Sequence, residues 1–507
     1  MIATVSSEPS SRSSLAPVLS ADPAAAWLRL LPSWPWIVGI LAMLRALASP
    51  LALLHDPDTY LHIAAGRWML AHWALPAADP FSFTMAGAQW IAGEWFGELV
   101  LAAVYVASGW GGIVVLTVAS FGLAMGLLAW FLGRRLEPLP AMIAALAGAV
   151  LVLPHLLARP HVLALPLLVL WCGAVLGARD DERGPPWLLL PAMTLWANLH
   201  GSFLFGIALA GFLGGEALLH PAPRVTRLAE AWRWAGFVVA AFAASLVDPN
   251  GVAAILQPFR LMEMPALRSG FGEWMPADFG EFPALEAWLL GILALGFWCR
   301  ARLPWTRLVL LLGLVHMALA DVRHADLLGL VGPLAIAAAL GPMVAEMMRP
   351  AAGSPLLRGA ALLARPTPVP GRILALALAA ALCLPVLLRT IDRSGDAVTP
   401  QAALAAASRL GVAGPVFNSE AFGGYLAFSG VPTFIDGRIE LYGNDFLAAY
   451  LAAERGNGST LVALLDRYQI AWTLLQAQSP AVAALDRLSG WRRAYADNRA
   501  VIHVRAD

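Results

Sequence analysis

The chain has 507 residues, no net charge at pH 7, and is 59% apolar against 13% charged, with a mean hydropathy of +0.70. That composition excludes a soluble globule, and the balanced charge excludes a basic surface for nucleic acid. One large membrane domain with an appendage is what it predicts.

Residues 1–30 are rich in Ser, Pro and Ala and hold no short apolar core followed by a cleavage site, so a disordered cytoplasmic tail is expected. A membrane-crossing helix takes about 20 mainly apolar residues, and by that measure the chain offers about eleven spans within 31–391. They fall at 34–54, 113–132, 141–157, 162–176, 187–199, 203–219, 234–247, 285–298, 308–320, 327–344 and 373–388. Cys172, Cys299 and Cys383 all lie in such runs and read as small core residues, not as a disulfide framework.

The first outer loop, 55–111, contains a further run at 94–108. Read as a span, it places Arg134 and Arg135 on the same side as Asp56; read as a helix lying on the interface, it lets the arginine-bearing connections alternate. The positive-inside tendency selects the interfacial reading. The amino terminus is then cytoplasmic, as is a Pro/Gly/Arg-rich linker at 349–372, while 392–507 lies outside. That last segment alternates short strand patterns (415–418, 433–436, 472–475, 500–504) with helical ones (445–453, 460–468), which predicts a small α/β domain.

Nearly every non-arginine polar group near a helix end falls on the outer side. His55-Asp56-Pro57-Asp58-Thr59-Tyr60-Leu61-His62 follows the first span directly. Ionisable groups at a membrane boundary are costly unless solvated or partnered, so such a cluster is a functional candidate. One acid there would also serve as a helix N-cap, but capping needs only one. Two acids with two imidazoles suit proton abstraction from an acceptor or ligation of a divalent cation (Mg or Mn), with Asp56, Asp58 and Glu94 as the metal candidates. Glu94 alternatively serves only the start of the interfacial helix.

Arg159 and His161, Asn198 and His200, and Arg323 and His324 each put a cation or donor at an outer helix end, and Glu273 lies in a long outer loop. An interfacial arginine often only snorkels to headgroups. Three such clusters on one side fit a pocket for a lipid phosphate, which arginine grips bidentately. With His62 and Glu94, these are the candidate substrate-binding residues. Asn418, Asp436, Arg438 and Tyr442 flank strand patterns and read mainly as loop-capping.

Together these elements resemble the membrane-embedded glycosyltransferases of the GT-C superfamily, which includes protein O-mannosyltransferases, oligosaccharyltransferase catalytic subunits and lipid A aminoarabinose transferases. The resemblance rests on the acidic motif Asp56-Pro57-Asp58-Thr59-Tyr60-Leu61-His62, the amphipathic run at 94–108 in the same loop, and the extracytoplasmic α/β tail. Asp58 through Trp68, Asp79-Pro80-Phe81-Ser82-Phe83-Thr84, Trp196-Ala197-Asn198-Leu199-His200-Gly201 and Ile435-Asp436-Gly437-Arg438 are similar, more narrowly, to a group of bacterial membrane proteins.

The resemblance implies a mainly α, polytopic bacterial inner-membrane protein. It also implies sugar transfer from a polyprenyl-phosphate donor to an envelope glycan, lipid or protein on the extracytoplasmic side. The role of base or metal partner then falls on Asp56 or Asp58, and the donor phosphate on Arg323. The alternative is a transporter, or a lipid-binding or scaffolding protein without transfer chemistry. Transporters commonly place charges in mid-membrane and pair broken helices in two halves, and neither pattern is found here.

Overall fold

The computed structural model describes residues 31–219, 223–298, 300, 302–347 and 363–506. The expected tail at 1–30, much of the linker at 349–372, and Cys299 lie outside them.

Every apolar run read from the sequence is helical, from Trp34–Leu47 to Val369–Leu387. Among the described residues, five helices are long and apolar enough to cross a membrane: Trp95–Leu132, Pro138–His155, Pro160–Asp180, Val322–Glu346 and Val369–Leu387. Shorter apolar helices, such as Trp34–Leu47, Phe203–Leu219 and Pro283–Trp298, complete the bundle. Proline opens several of them, at Pro57, Pro138 and Pro160. Its missing N–H costs nothing in the first turn and its fixed φ is already helical.

The bundle core is one continuous cluster in which large rings do most of the filling. Trp171, Trp196, Trp234, Phe121, Phe203 and Phe237 are fully buried. The Trp171 indole donates to the Gly206 carbonyl at 2.9 Å, so its polar edge is satisfied inside the apolar layer.

The run at 94–108 becomes the first arm of the 38-residue Trp95–Leu132 helix, which breaks at Gly109 (φ 59, ψ −154). The break separates the arm that starts at Trp95 from the apolar segment that ends at Leu132. The arm buries Gly97, Glu98, Leu101 and Ala102, and it packs along the Pro57–His72 helix.

The carboxy-terminal domain carries a four-stranded sheet in the order β1 (Val416–Asn418), β2 (Trp472–Gln476), β4 (Ala500–Arg505), β3 (Trp491–Ala496). β1 and β2 run parallel and the other neighbours antiparallel. The strand expected at 433–436 is not one. Thr433 makes a single bridge to Ser82, and the Asn418 side chain takes the place of a ladder. It accepts from Phe434 N at 2.8 Å and donates to the Ile435 carbonyl at 2.8 Å.

This domain is clamped over the segment that holds Asp79, Phe81 and Trp90. Arg438 holds Asp436 through two bonds, from Nε at 2.8 Å and Nη2 at 2.7 Å, and reaches across to Asp79 with Nη1 at 2.6 Å. Its guanidinium lies against Trp90 and Phe81, with centroids at 4.7 and 5.1 Å. Thr433 and Tyr442 hydroxyls donate to Asp436 at 3.0 Å each. Thr433 also exchanges backbone bonds with Phe81 and Phe83 at 3.0 and 3.1 Å. A second seam runs along the outer segment after residue 250, where the Gln257 amide bonds Glu440 at 3.1 Å and Asn444 accepts from Ala266 N at 3.1 Å. The domain thus roofs the amino-terminal end of the Pro57–His72 helix.

Candidate functional site

Asp56 is the N-cap of the Pro57–His72 helix and accepts the Asp58 N–H at 2.7 Å. Its other oxygen takes two donors from Arg159, Nε at 2.7 Å and Nη2. Arg159 is itself the N-cap residue of Pro160–Asp180, so helix starts deliver both partners to one point. Nη2 of Arg159 also lies 3.3 Å from Asp58, and Nη1 lies 3.5 Å from Glu273. Glu273 in turn stands 3.7 Å from Arg323, whose guanidinium lies 4.3 Å from the Trp274 ring centroid. Asp58, Arg159, Glu273 and Arg323 therefore form one chain of opposite charges, drawn from four separate parts of the sequence.

Asp56 is spent on capping and on two bonds from Arg159, whereas Asp58 has only the longer approach of Arg159 at 3.3 Å. Its Oδ1 is buried with no hydrogen-bond partner, and its side chain retains 18% exposure. Burial pushes its carboxyl up to about 6, against the pull of Arg159 and with the help of Asp56. A carboxylate with a raised pKa and a single charged neighbour at 3.3 Å is suited to take a proton near neutral pH.

One turn further along the same helix face, His62 bonds Glu98 at 3.1 Å and lies 3.9 Å from Glu94. Burial works against the imidazolium, but the Glu98 bond and the charges of Glu94, Glu98 and Asp58 outweigh it and raise His62 to about 9. It is a cation at neutral pH. Burial resists the Glu273 anion as well, yet Arg159 and Arg323 hold that carboxyl below its ordinary value.

The remaining candidates divide. Glu94 lies between His62 and His200, 3.5 Å from the latter, and burial raises it to about 7. His161 touches the same patch, its ring centroid 6.0 Å from that of His200, and its Nε2 lies 3.2 Å from the His155 carbonyl. Asn198 is a brace. Its amide accepts from the Trp95 indole at 2.8 Å and donates to the Thr194 and Val247 carbonyls at 2.8 and 2.9 Å. Every hydrogen-bonding atom of that side chain faces protein. His324 stands apart, its nearest acid being Asp321 at 3.9 Å.

The expected metal set does not converge. Glu94 pairs with the histidines, Asp56 is covered by Arg159, and among the described residues no three His, Cys, Asp or Glu side chains gather as for a metal ion. The Arg159 guanidinium occupies the position between the carboxylates that a divalent cation would take. These residues do not fit a cation held by Asp56, Asp58 and Glu94.

Glu420 is a contributor that sequence reasoning passed over. It opens the Glu420–Phe428 helix of the roof, which packs on the Pro57–His72 helix. One turn on, a Cβ at Gly424 would lie 2.1 Å from the Pro57 carbonyl oxygen, and a Cβ at Gly437 would lie 1.8 Å from Asp58 Oδ1. Only glycine permits either approach. Burial, then the charges of Asp58, Glu454 and Asp56, raise the Glu420 carboxyl well above its ordinary value. An acid in the first turn of a helix is routine in sequence, so nothing local marked this one.

No protein-family profile matches the chain, and no curated protein matches it. Among solved structures, the chain is similar to ArnT from Cupriavidus metallidurans bound to undecaprenyl phosphate, with a TM-score of 0.48 and 16% identity over 92% of this chain and 97% of that chain. The same protein in the apo state gives a TM-score of 0.47, again at 16% identity over 92% and 97% of the two chains.

Proposed function

We propose that this is a membrane glycosyltransferase that moves a sugar from a polyprenyl-phosphate carrier to an envelope glycan, lipid or protein, on the extracytoplasmic side of a bacterial inner membrane. The amino terminus is then cytoplasmic. The observation that carries the reading is the chain Asp58–Arg159–Glu273–Arg323, which sets a raised, half-free carboxylate and an aromatic-backed guanidinium into one site.

The chemistry follows from those charges. Asp58 takes the proton as the acceptor hydroxyl attacks the anomeric carbon, and the bond from that carbon to the phosphate oxygen breaks. The electron pair leaves on the lipid phosphate, where Arg323 and the His62 cation meet the growing negative charge. Arg159 holds Asp56 and Asp58 in place, and the helix starts that carry them supply the alignment.

Proteoliposomes given a radiolabelled polyprenyl-phosphate sugar and a membrane extract should move label from the prenyl carrier to a second, chloroform-insoluble or slower-migrating product. Arg323→Gln should raise the donor KM roughly 10- to 100-fold, as loss of a charged hydrogen bond predicts. Label that enters the lumen while still on its carrier would overturn transfer in favour of transport. Transfer should also persist in EDTA; a requirement for added Mg or Mn would instead place a cation at Asp58 with the substrate.

A further inference from the structure

At the end of the bundle opposite the carboxylates lies a cavity of about 350 Å³, between the last turns of Trp95–Leu132, the second half of Pro160–Asp180 and the connection that follows it. The Pro160–Asp180 helix runs from Arg159 to this cavity, and its 21 residues span about 30 Å, the thickness of a hydrocarbon core. The cavity has apolar walls, formed by Phe131, Leu170, Ala174 and Ala178, and it carries Arg134 and Arg183. Gly177 leaves its floor open, while the Phe131 ring packs directly on Gly173.

Its position is that of a headgroup layer. Trp130, which lines it, is 46% exposed, and Trp187, one residue beyond the lining Pro186, is 48% exposed. Half-exposed tryptophans mark membrane–water boundaries. Asp181 is shared between Arg135 and Arg183, at 2.6 Å from each. Arg134 makes no ion pair among the described residues, and its guanidinium lies 5.1 Å from the Trp130 ring centroid. No acid lines the cavity.

We propose that this cavity binds one anionic phospholipid, its phosphate between Arg134 and Arg183 and one acyl chain against the glycine-floored wall. The occupant is identified by charge and by shape. Arg134 has no acid partner among the described residues, Arg183 shares Asp181 with Arg135, the walls are hydrocarbon, and the half-exposed tryptophans suit a mouth at the level of lipid phosphates. The site is about 30 Å from the proposed transfer chemistry, so it stands whether or not that reading does.

The test is native mass spectrometry of the purified chain with dioleoylphosphatidylglycerol, dioleoylphosphatidylcholine or inorganic phosphate. Phosphatidylglycerol should be retained preferentially, and the Arg134→Gln/Arg183→Gln variant should weaken it at least tenfold without changing phosphatidylcholine adducts. Gly177→Leu fills the floor while leaving both charges in place. A Cβ there meets only Arg135 Nη2 at 3.9 Å, so the side chain starts into open space, and this variant should weaken phosphatidylglycerol as well. Equal retention of the two lipids, or undiminished phosphatidylglycerol binding in both variants, would overturn the proposal. Displacement by excess inorganic phosphate would show that the arginines read a free anion and not a lipid.

Discussion

Asp58→Asn is expected to lower transfer roughly 10²- to 10⁴-fold, the range for loss of a general base, and to leave the protein at least as heat-stable as its parent. The second half of that expectation follows from the direction of the pKa shift. Burial raises the folded carboxyl from 3.8 to about 6, so the folded chain binds a proton more readily than the unfolded one across that window. Stability contributed by this residue therefore falls as pH rises from about 4 to 6, and the amide removes the cost. A residue kept only for structure would behave in the opposite way.

The parent protein should show the matching pH profile. Transfer should rise about tenfold per unit at pH values below about 6 as Asp58 ionises, then level off. It should fall again as the medium passes about 9 and His62 loses its charge. In Asp58→Asn the acid limb disappears and the alkaline limb remains. A variant that keeps the acid limb would assign it to another group.

Arg438→Met is expected to have the largest effect on stability, on the order of 3–5 kcal/mol, because it strands two buried carboxylates. Asp79 and Asp436 side chains are both 0% exposed, and Arg438 is 5% exposed. Burial works against the Asp436 anion, and it is Arg438, by charge and by bidentate bonding, that holds this carboxyl below its ordinary value. Removing the guanidinium should unseat the roof from the segment that holds Asp79. The check is limited proteolysis together with heat inactivation of the detergent-solubilised protein, which should detect early release of the carboxy-terminal domain. Asp436→Asn added to Arg438→Met should recover part of the loss, since one stranded charge is gone. An intact roof in Arg438→Met would mean that the Gln257–Glu440 and Asn444–Ala266 seam is sufficient to hold it.

The membrane helices were legible because hydrocarbon thickness imposes a length on apolar runs, and local composition alone reports it. The first acidic motif stood out for a related reason: ionisable groups beside an apolar run need partners, and Asp56, Asp58 and His62 each have one. What joined them was not legible. The contact of Arg159 with Asp56 and Asp58, and of Glu273 with Arg159 and Arg323, crosses more than a hundred residues in the first three cases and depends on helix packing. Asn198 looked like a ligand because a polar residue at a helix end presents the same pattern whether it faces substrate or braces a neighbour.

The roof shows the same limit. The apolar run at 433–436 has a strand's composition, but Asn418 supplies the bonds that a neighbouring strand would have supplied. β3 reads Trp-Arg-Arg-Ala-Tyr-Ala and is largely open to solvent, so it carries no alternating apolar face to reveal it. The Ile435-Asp436-Gly437-Arg438 motif proves to do two things. Its charges clamp the domain, and Gly437 leaves space for the Asp58 carboxyl.

The most direct measurement is a cryo-EM map of the chain loaded with a non-transferable prenyl-phosphate sugar analogue. Phosphate density against Arg323 and the Trp274 face, with the sugar directed at the exposed edge of the Asp58 carboxylate, is what this account predicts. Density for the phosphate elsewhere, with Asp58 still shut between Arg159 and Gly437, would contradict it.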